Sequence, residues 1–121
     1  MSASWELQVF ENRKPVFQAQ FTGPVELGRQ EVGEAEPYQF NTTGAHARLV
    51  IARLQEDRVP RKYVRIEPQE SGEVLIKNLS PRVPLRLDQG PFIKPDGQLT
   101  LPAPVMLVIE QRGIRVQMDG P

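Results

Sequence analysis

Several basic residues of this chain are suited to binding an anion. They lie in the loops beside three strand-like apolar runs. The members of this set are Arg29, Arg61, Lys62 and Arg82, with Arg86 at the rim. A phosphate group carries about −1.5 to −2 charges at pH 7 and three strong acceptor oxygens, so two or three converging guanidinium groups suit it. Strands that hold basic loops at one end of a sheet therefore predict an anion-binding site there.

Other site chemistries find little support. The chain has no cysteine and a single histidine, His46, so we expect neither a transition-metal site nor a thiolate nucleophile. Its carboxylates lack the spacing of calcium loops and catalytic pairs, and Ser71 and Ser80 lack a recognisable histidine partner. We expect no catalytic residue, no metal and no cofactor. A small β-sandwich enzyme or ligand carrier is the alternative, and a buried apolar pocket with converging polar groups would indicate it.

Length and composition limit the fold and the partners. The 121 residues suit one domain, residues 1–121 with a core of about 5–118, and 39% of them are hydrophobic. Fifteen basic residues balance fifteen acidic ones, so no general attraction to nucleic acid or membranes is expected. No apolar run approaches the ~20 residues of a membrane helix. We expect a soluble cytoplasmic protein, and its oligomeric state stays open.

Short alternating apolar segments between turns predict an all-β fold. Residues 5–10 and 16–21 alternate apolar and polar side chains, which predicts a hairpin of two half-buried strands. The near-continuous apolar run 105–110 predicts a strand buried on both faces, followed by a tight turn at Arg112-Gly113. About eleven such strands, separated by turns rich in proline and glycine, fit two packed sheets.

Two segments are harder to assign. Residues 47–54 fit either a strand or a short helix, and their length and two β-branched residues favour a strand. Residues 29–44 lose the alternation and carry turn-forming residues, which predicts a long surface loop. A loop of that length is uncommon in a compact domain and is often functional.

Four short segments resemble, in order and spacing, the sequence pattern of the forkhead-associated (FHA) domain. That pattern runs Gly-Arg, then Ser-Arg-x-His, then Asp-Leu-x-Ser-x-Asn-Gly-Thr, then a late Gly-Asp or Pro-Gly turn. The corresponding segments are Gly28-Arg29, Pro60-Arg61-Lys62-Tyr63, Asn78-Leu79-Ser80-Pro81-Arg82-Val83-Pro84-Leu85 and Lys94-Pro95-Asp96-Gly97. The resemblance implies an FHA-like (SMAD/FHA) sandwich of about eleven strands in two sheets. It also implies a non-catalytic phosphothreonine-peptide-binding module within a larger signalling protein.

The segments depart from the FHA pattern at the positions where the family holds its ligand. Pro60 stands in place of the serine that bonds phosphate, and Val83 in place of the asparagine that grips the peptide backbone. Pro84 replaces the glycine that follows the asparagine, and Tyr63 replaces a mainly architectural histidine. These changes leave the expectation for the fold intact and weaken the expectation for the ligand.

Two hypotheses for the function therefore stay open. In the first, the chain is a protein-interaction module that binds a protein segment phosphorylated on threonine, through Arg29, Arg61, Lys62 and Arg82. In the second, it is a degenerate FHA domain that binds an unmodified partner or packs against another domain, without any need for phosphate.

Overall fold

The structure, a computed structural model, describes residues 4–41, 47–88, 90 and 92–118. The regular secondary structure of these residues consists of β-strands joined by turns and loops. Within those ranges there are twelve strands and no helix, and so no described helix that could cross a bilayer. In chain order the strands are β1 (Trp5–Glu11), β2 (Lys14–Phe21), β3 (Val25–Arg29), β4 (Gln39–Asn41), β5 (Ala47–Ala52), β6 (Val64–Pro68), β7 (Glu73–Asn78), β8 (Leu85–Leu87), β9 (Phe92–Ile93), β10 (Gln98–Pro102), β11 (Val105–Ile109) and β12 (Arg112–Met118).

The strands form two six-stranded sheets that enclose one core. One sheet has the order β2-β1-β12-β11-β8-β9, and the other has the order β10-β7-β6-β3-β5-β4. The β1–β2 hairpin predicted from the sequence is present, with Trp5 opposite Phe21. Residues 47–52 form a strand, as favoured above, and this strand runs parallel to β3. The prediction of an all-β fold in two sheets is confirmed.

Side-chain alternation in the strands directs apolar groups into the space between the sheets. Trp5 and Val9 of β1 are buried, and so are the alternate residues Ile114 and Val116 of β12. The indole N–H of Trp5 still has a partner, because it donates to the carbonyl oxygen of Gly23 at 2.8 Å. Full burial of one large apolar side chain contributes about 1.5–3 kcal/mol. The shared core therefore fixes the strands, and the strands fix the loops that leave them.

Three local predictions are wrong. The segment predicted as a loop over residues 29–44 contains β4, which pairs with β5, while residues 42–44 lie outside the described residues. The turn into β12 is formed by Glu110 and Gln111, whereas Arg112 and Gly113 already pair with β11. Alternate residues of β11 are half-buried on the outer face, so this strand is not buried on both faces. Its outer residues are apolar without being enclosed.

Strand pairing brings the cation-bearing loops to one end of the sandwich. β3 ends where β6 begins, because Leu27 pairs with Val64, and β6 begins where β7 ends, because Val64 pairs with Asn78. The other sheet contributes the β11–β12 turn, where Ile109 pairs with Arg112. We call this the loop end, and it carries residues 12–13, 30–38, 53–63, 79–84, 94–97 and 110–111.

Candidate anion-binding site

The first two cation-bearing segments are held together by main-chain hydrogen bonds that extend the sheet beyond its strands. The amide of Tyr63 donates to the carbonyl oxygen of Leu27 at 3.0 Å, and the amide of Arg29 donates to that of Pro60 at 3.0 Å. Pro60 takes part through its carbonyl group, which proline retains although it lacks an N–H. The main chain of Arg29 therefore lies beside the segment that carries Arg61.

Gly28 permits this close approach because it has no side chain. The residue is buried, and a Cβ atom added there would overlap the main-chain carbonyl group of Arg61 and lie 3.0 Å from Nη1 of Arg48. Any other residue would have to push the two segments apart. The glycine that precedes Arg29 thus has a packing reason to be there.

Arg48 of β5 joins the same segments through all five of its N–H donors. Its Nη1 donates to Glu26 at 2.8 Å and to the carbonyl oxygen of Arg61 at 2.9 Å. Its Nη2 donates to the carbonyl oxygen of Arg29 at 2.6 Å and to Glu34 at 3.1 Å, and its Nε donates to Glu34 at 2.9 Å. The hydrogen bonds from Arg48 hold the pKa of Glu34 below its ordinary value.

The side chain of Arg29 lies against residues 53–63 with part of its donor capacity unused. Its Nη1 donates to the carbonyl oxygen of Leu54 at 3.4 Å, which is a long hydrogen bond. Its buried Nε has no hydrogen-bond partner among the described residues. A buried donor without a partner costs about 1–3 kcal/mol. The guanidinium group of Arg29 is therefore held less completely than that of Arg48.

Asn78 and Ser80 shape the loop that carries Arg82. The amide group of Asn78 donates to the carbonyl oxygens of Val83 and Ile93 at 2.8 and 3.0 Å, and its oxygen accepts the N–H of Ser80 at 3.0 Å. The hydroxyl of Ser80 accepts the amides of Val83 and Arg82 at 2.9 and 3.2 Å. Both side chains are buried, so water does not compete for these bonds. The main chain at Arg82 is fixed as a result.

Tyr63 connects this loop with the segment before β6. Its ring is buried, and its hydroxyl donates to the carbonyl oxygen of Pro84 at 2.7 Å. Burial raises the pKa of the hydroxyl to about 12, so it remains a protonated donor at neutral pH. Through this bond and the β6–β7 pairing, the segment with Arg61 and Lys62 becomes the neighbour of the segment with Arg82.

The structure places the predicted site residues in three linked segments at the loop end, and it leaves three of their side chains unpaired. Arg61, Lys62 and Arg82 are exposed, and no hydrogen bond or ion pair to another described residue engages their side chains. Pro60 and Val83, at the positions of the FHA serine and asparagine, are half-buried, and Val83 packs against the core. The loop end therefore offers free cations but no side-chain hydroxyl or amide at those two positions.

A polar cleft of about 280 Å³ adjoins these loops. Arg58 and Arg86 line it from two different segments, and Glu110 of the β11–β12 turn lies in its wall. Arg86 was predicted at the rim of the cation group, whereas Arg58 was not predicted to lie in the site. The available signal was its position three residues before Arg61 in the same loop.

A second buried network at the loop end ties the two sheets together. Arg112 is 2% exposed, and its Nη2 donates to both carboxylate oxygens of Glu56 at 2.6 and 2.8 Å. Its Nε donates to the hydroxyl of Tyr38 at 3.3 Å, and that hydroxyl donates to Glu11 at 2.5 Å. Burial, followed by the bond to Glu11, raises the pKa of Tyr38 to about 12. Burial alone would raise the pKa of Glu56, but hydrogen bonds from Arg112 and the Arg53 amide bring it below the ordinary value.

Two observations on the described part of the chain concern metal and small-molecule binding. No group of three or more His, Cys, Asp or Glu residues there could hold a metal ion. His46 lies outside the described residues. A cleft of about 470 Å³ has Phe10, Met106 and Val108 in its lining, and all three are half-buried residues on the outer face of their sheet. This cleft is a surface feature and not a pocket within the core.

Comparisons with known proteins bear on the fold. No protein-family model and no curated protein matches the chain. A solved structure named "Rv0020c_FHA Structure" is similar to it, with a TM-score of 0.57 and 16% sequence identity, over 98% of this chain and 96% of that chain. At this identity the likeness concerns the fold alone. The expected FHA-like β-sandwich is confirmed, and the lack of a matching family model agrees with the departures in the motifs.

Gly28→Ala should destabilise the domain by about 1–3 kcal/mol or more, because the added methyl group overlaps main-chain atoms of Arg61. Gly23→Ala is the matched control, since nothing lies within 4 Å of a Cβ atom there. Its effect on the free energy of unfolding should stay within about 0.5 kcal/mol. Urea unfolding followed by the fluorescence of Trp5 compares the two variants. Equal effects would contradict the packing role given to Gly28.

The stability of the wild type should fall as the pH drops below about 4.5. Glu34, Glu56 and Glu67 each have a pKa below the ordinary value of 4.5 in the folded protein. Glu67 lies on β6, and a hydrogen bond from Lys77 of β7, at 2.9 Å, lowers its pKa. The unfolded chain takes up protons first, so the stability that these groups contribute is complete above the unfolded pKa and is lost as the pH falls through the folded values. Urea midpoints at several pH values between 7 and 3 measure this loss.

The triple variant E34Q/E56Q/E67Q provides the control for that pH dependence. It should be less stable than the wild type at neutral pH and should show a flatter loss of stability in the acid range, because its three amides do not titrate. A wild-type midpoint that stays constant through the acid range would contradict the lowered pKa values.

Proposed function

We propose that the chain is a non-catalytic protein-interaction module whose loop end binds a protein segment phosphorylated on threonine. The proposed ligand residues are Arg29, Arg61, Lys62 and Arg82. As the FHA resemblance implies, the proposal includes a single domain, residues 1–121, that acts as one module of a larger cytoplasmic signalling protein. The observation that carries the proposal is a set of three linked segments with a fixed main chain, two of which carry cations without a hydrogen bond or ion pair to another described residue, namely Arg61, Lys62 and Arg82.

A dianionic phosphate group is the ligand that such loops suit best. Hydrogen bonds from guanidinium groups to phosphate are charge-assisted, and they can form in bidentate pairs. The main chain beneath the cations is already held by Arg48, Asn78 and Ser80, so binding has to order side chains more than loops. The whole chain has a formal net charge of zero, so the attraction has to come from these cations and not from the overall charge of the domain.

An interaction that does not need phosphate is the second candidate, and two residues favour it. Pro60 has neither a hydroxyl nor an N–H to offer a phosphate oxygen. Val83 packs its side chain against the core, so this position supplies no side-chain grip on a peptide backbone. In this candidate the same loops contact an unmodified protein or a neighbouring domain.

A degenerate library of phosphothreonine peptides, with its unphosphorylated copy, supplies the probe that separates the two candidates. The selected peptide should bind more tightly than its unphosphorylated copy in isothermal titration. The double variant Arg61→Gln/Arg82→Gln should weaken binding of the phosphopeptide by about tenfold or more per arginine, since a hydrogen bond to a charged group contributes about 1.5–3 kcal/mol. Arg115→Gln is the matched control, because Arg115 lies within β12 and away from the loop end.

Equal affinity of the wild type for both peptides would overturn the phosphate-dependent proposal and favour the second candidate. An equal loss of affinity in the Arg115→Gln control would mean that the peptide responds to the total charge of the domain and not to a site.

Restoring a hydroxyl at position 60 should strengthen the phosphate site. Pro60→Ser keeps the carbonyl group that accepts the amide of Arg29 and adds a donor next to Arg61. One added hydrogen bond of about 1 kcal/mol corresponds to roughly fivefold tighter binding of the phosphopeptide. Pro60→Ala is the control, since it adds the same N–H without the hydroxyl. An equal gain in the two variants would assign the effect to the loop conformation and not to the hydroxyl.

A further inference from the structure

We infer that Arg48 is a positioning residue for the anion site: without touching the ligand, it sets the spacing of the main chains that carry Arg29 and Arg61. This inference rests on the proposed function. Two of the acceptors around its guanidinium group are the carbonyl oxygens of those same residues, at 2.6 and 2.9 Å. A carbonyl group held in this way fixes the neighbouring Cα atom, and with it the point from which each cationic side chain extends.

Three further hydrogen bonds hold Arg48 itself in place. They run to Glu26 on β3 and to both carboxylate oxygens of Glu34 in the segment 30–38. The three side chains are between 12% and 19% exposed, so water competes weakly for these bonds. The rigid, planar guanidinium group of Arg48 thus connects β3, at Glu26 and Arg29, with the segments 30–38 and 53–63.

Arg48 is not itself available to an anion. All five of its N–H donors are engaged, and the carboxylates of Glu26 and Glu34 lie 2.8 and 2.9 Å away to balance its charge. Burial alone would lower the pKa of Arg48, but the bonds to Glu34 and Glu26 raise it, so the group stays charged. Arg29 differs in this respect, because the one hydrogen bond that its guanidinium group makes to a described residue, to the carbonyl oxygen of Leu54, is long at 3.4 Å.

Arg48→Lys tests the inference, because lysine keeps the charge but offers three donors from one point in place of a planar fork. Lysine can keep an ion pair with a carboxylate while it releases one or both carbonyl groups. The dissociation constant for free phosphothreonine, measured by nuclear magnetic resonance titration, should rise about fivefold or more. Amide hydrogen exchange at Arg29 and Tyr63, whose N–H groups bond across the two segments, should quicken without ligand. Arg115→Lys, the matched control, should change neither measurement.

The core variant Ile114→Val is a control that distinguishes a positioning role of Arg48 from a general loss of stability. It should lower the urea midpoint and leave the affinity for phosphothreonine unchanged, whereas Arg48→Lys should lower the affinity at a temperature where it is fully folded. If Arg48→Lys does not fold, Glu34→Gln replaces it with the same two measurements. That variant keeps the side-chain shape and removes one of the two charges beside Arg48.

Two negative results have different meanings. If the wild type binds phosphothreonine and the folded variant binds it equally well, the positioning role is overturned and the proposed function stands. If the wild type takes up no phosphothreonine, the proposed function fails and the positioning role fails with it.

Discussion

The arrangement of the loop end depends on the absence of a side chain at Gly28. Because no Cβ atom occupies that space, the carbonyl group of Arg61 can lie against β3, and the guanidinium group of Arg48 can reach both Arg61 and Arg29. A methyl group at this point would separate two of the three loops that carry the cations. Packing therefore explains the Gly28-Arg29 pair. Gly28 leaves space for the main chain of Arg61, and Arg29 follows it as the last residue of β3.

Arginine has two different roles at this end of the sandwich. Arg48 and Arg112 are surrounded by carboxylates and hold segments together, whereas Arg61 and Arg82 are exposed, without a hydrogen bond or ion pair to another described residue. A buried ion pair is a weak source of stability, because removing charges from water offsets most of the attraction. The contribution of the two networks is better understood as fixed geometry. The Arg48 network orders the main chain at Arg29 and Arg61, and the Arg112 network ties the segment 53–63 to β12.

The alternation of side chains was enough to predict the sandwich, since burial on one face repeats every two residues along a strand. The buried networks could not be predicted in this way: Arg112 and Glu56 are 56 positions apart, and their pairing depends on how both sheets pack. One signal was present, because Arg112 stands in phase with Ile114 on the buried side of β12, where a charge needs a partner. β4 was missed because three residues are too short for a periodic pattern, and pairing with β5 is what forms it.

We propose that three neighbouring loops bind one phosphate group, and nuclear magnetic resonance titration of the wild type with a phosphothreonine peptide would show whether they do. We expect the amides near residues 29, 61 and 82 to shift together along one binding curve. The β6–β7 turn at residues 69–72, which lies at the opposite end of the sheet, should keep its chemical shifts. Shifts spread over both ends of the domain, or an absence of shifts in those three segments, would contradict the claim.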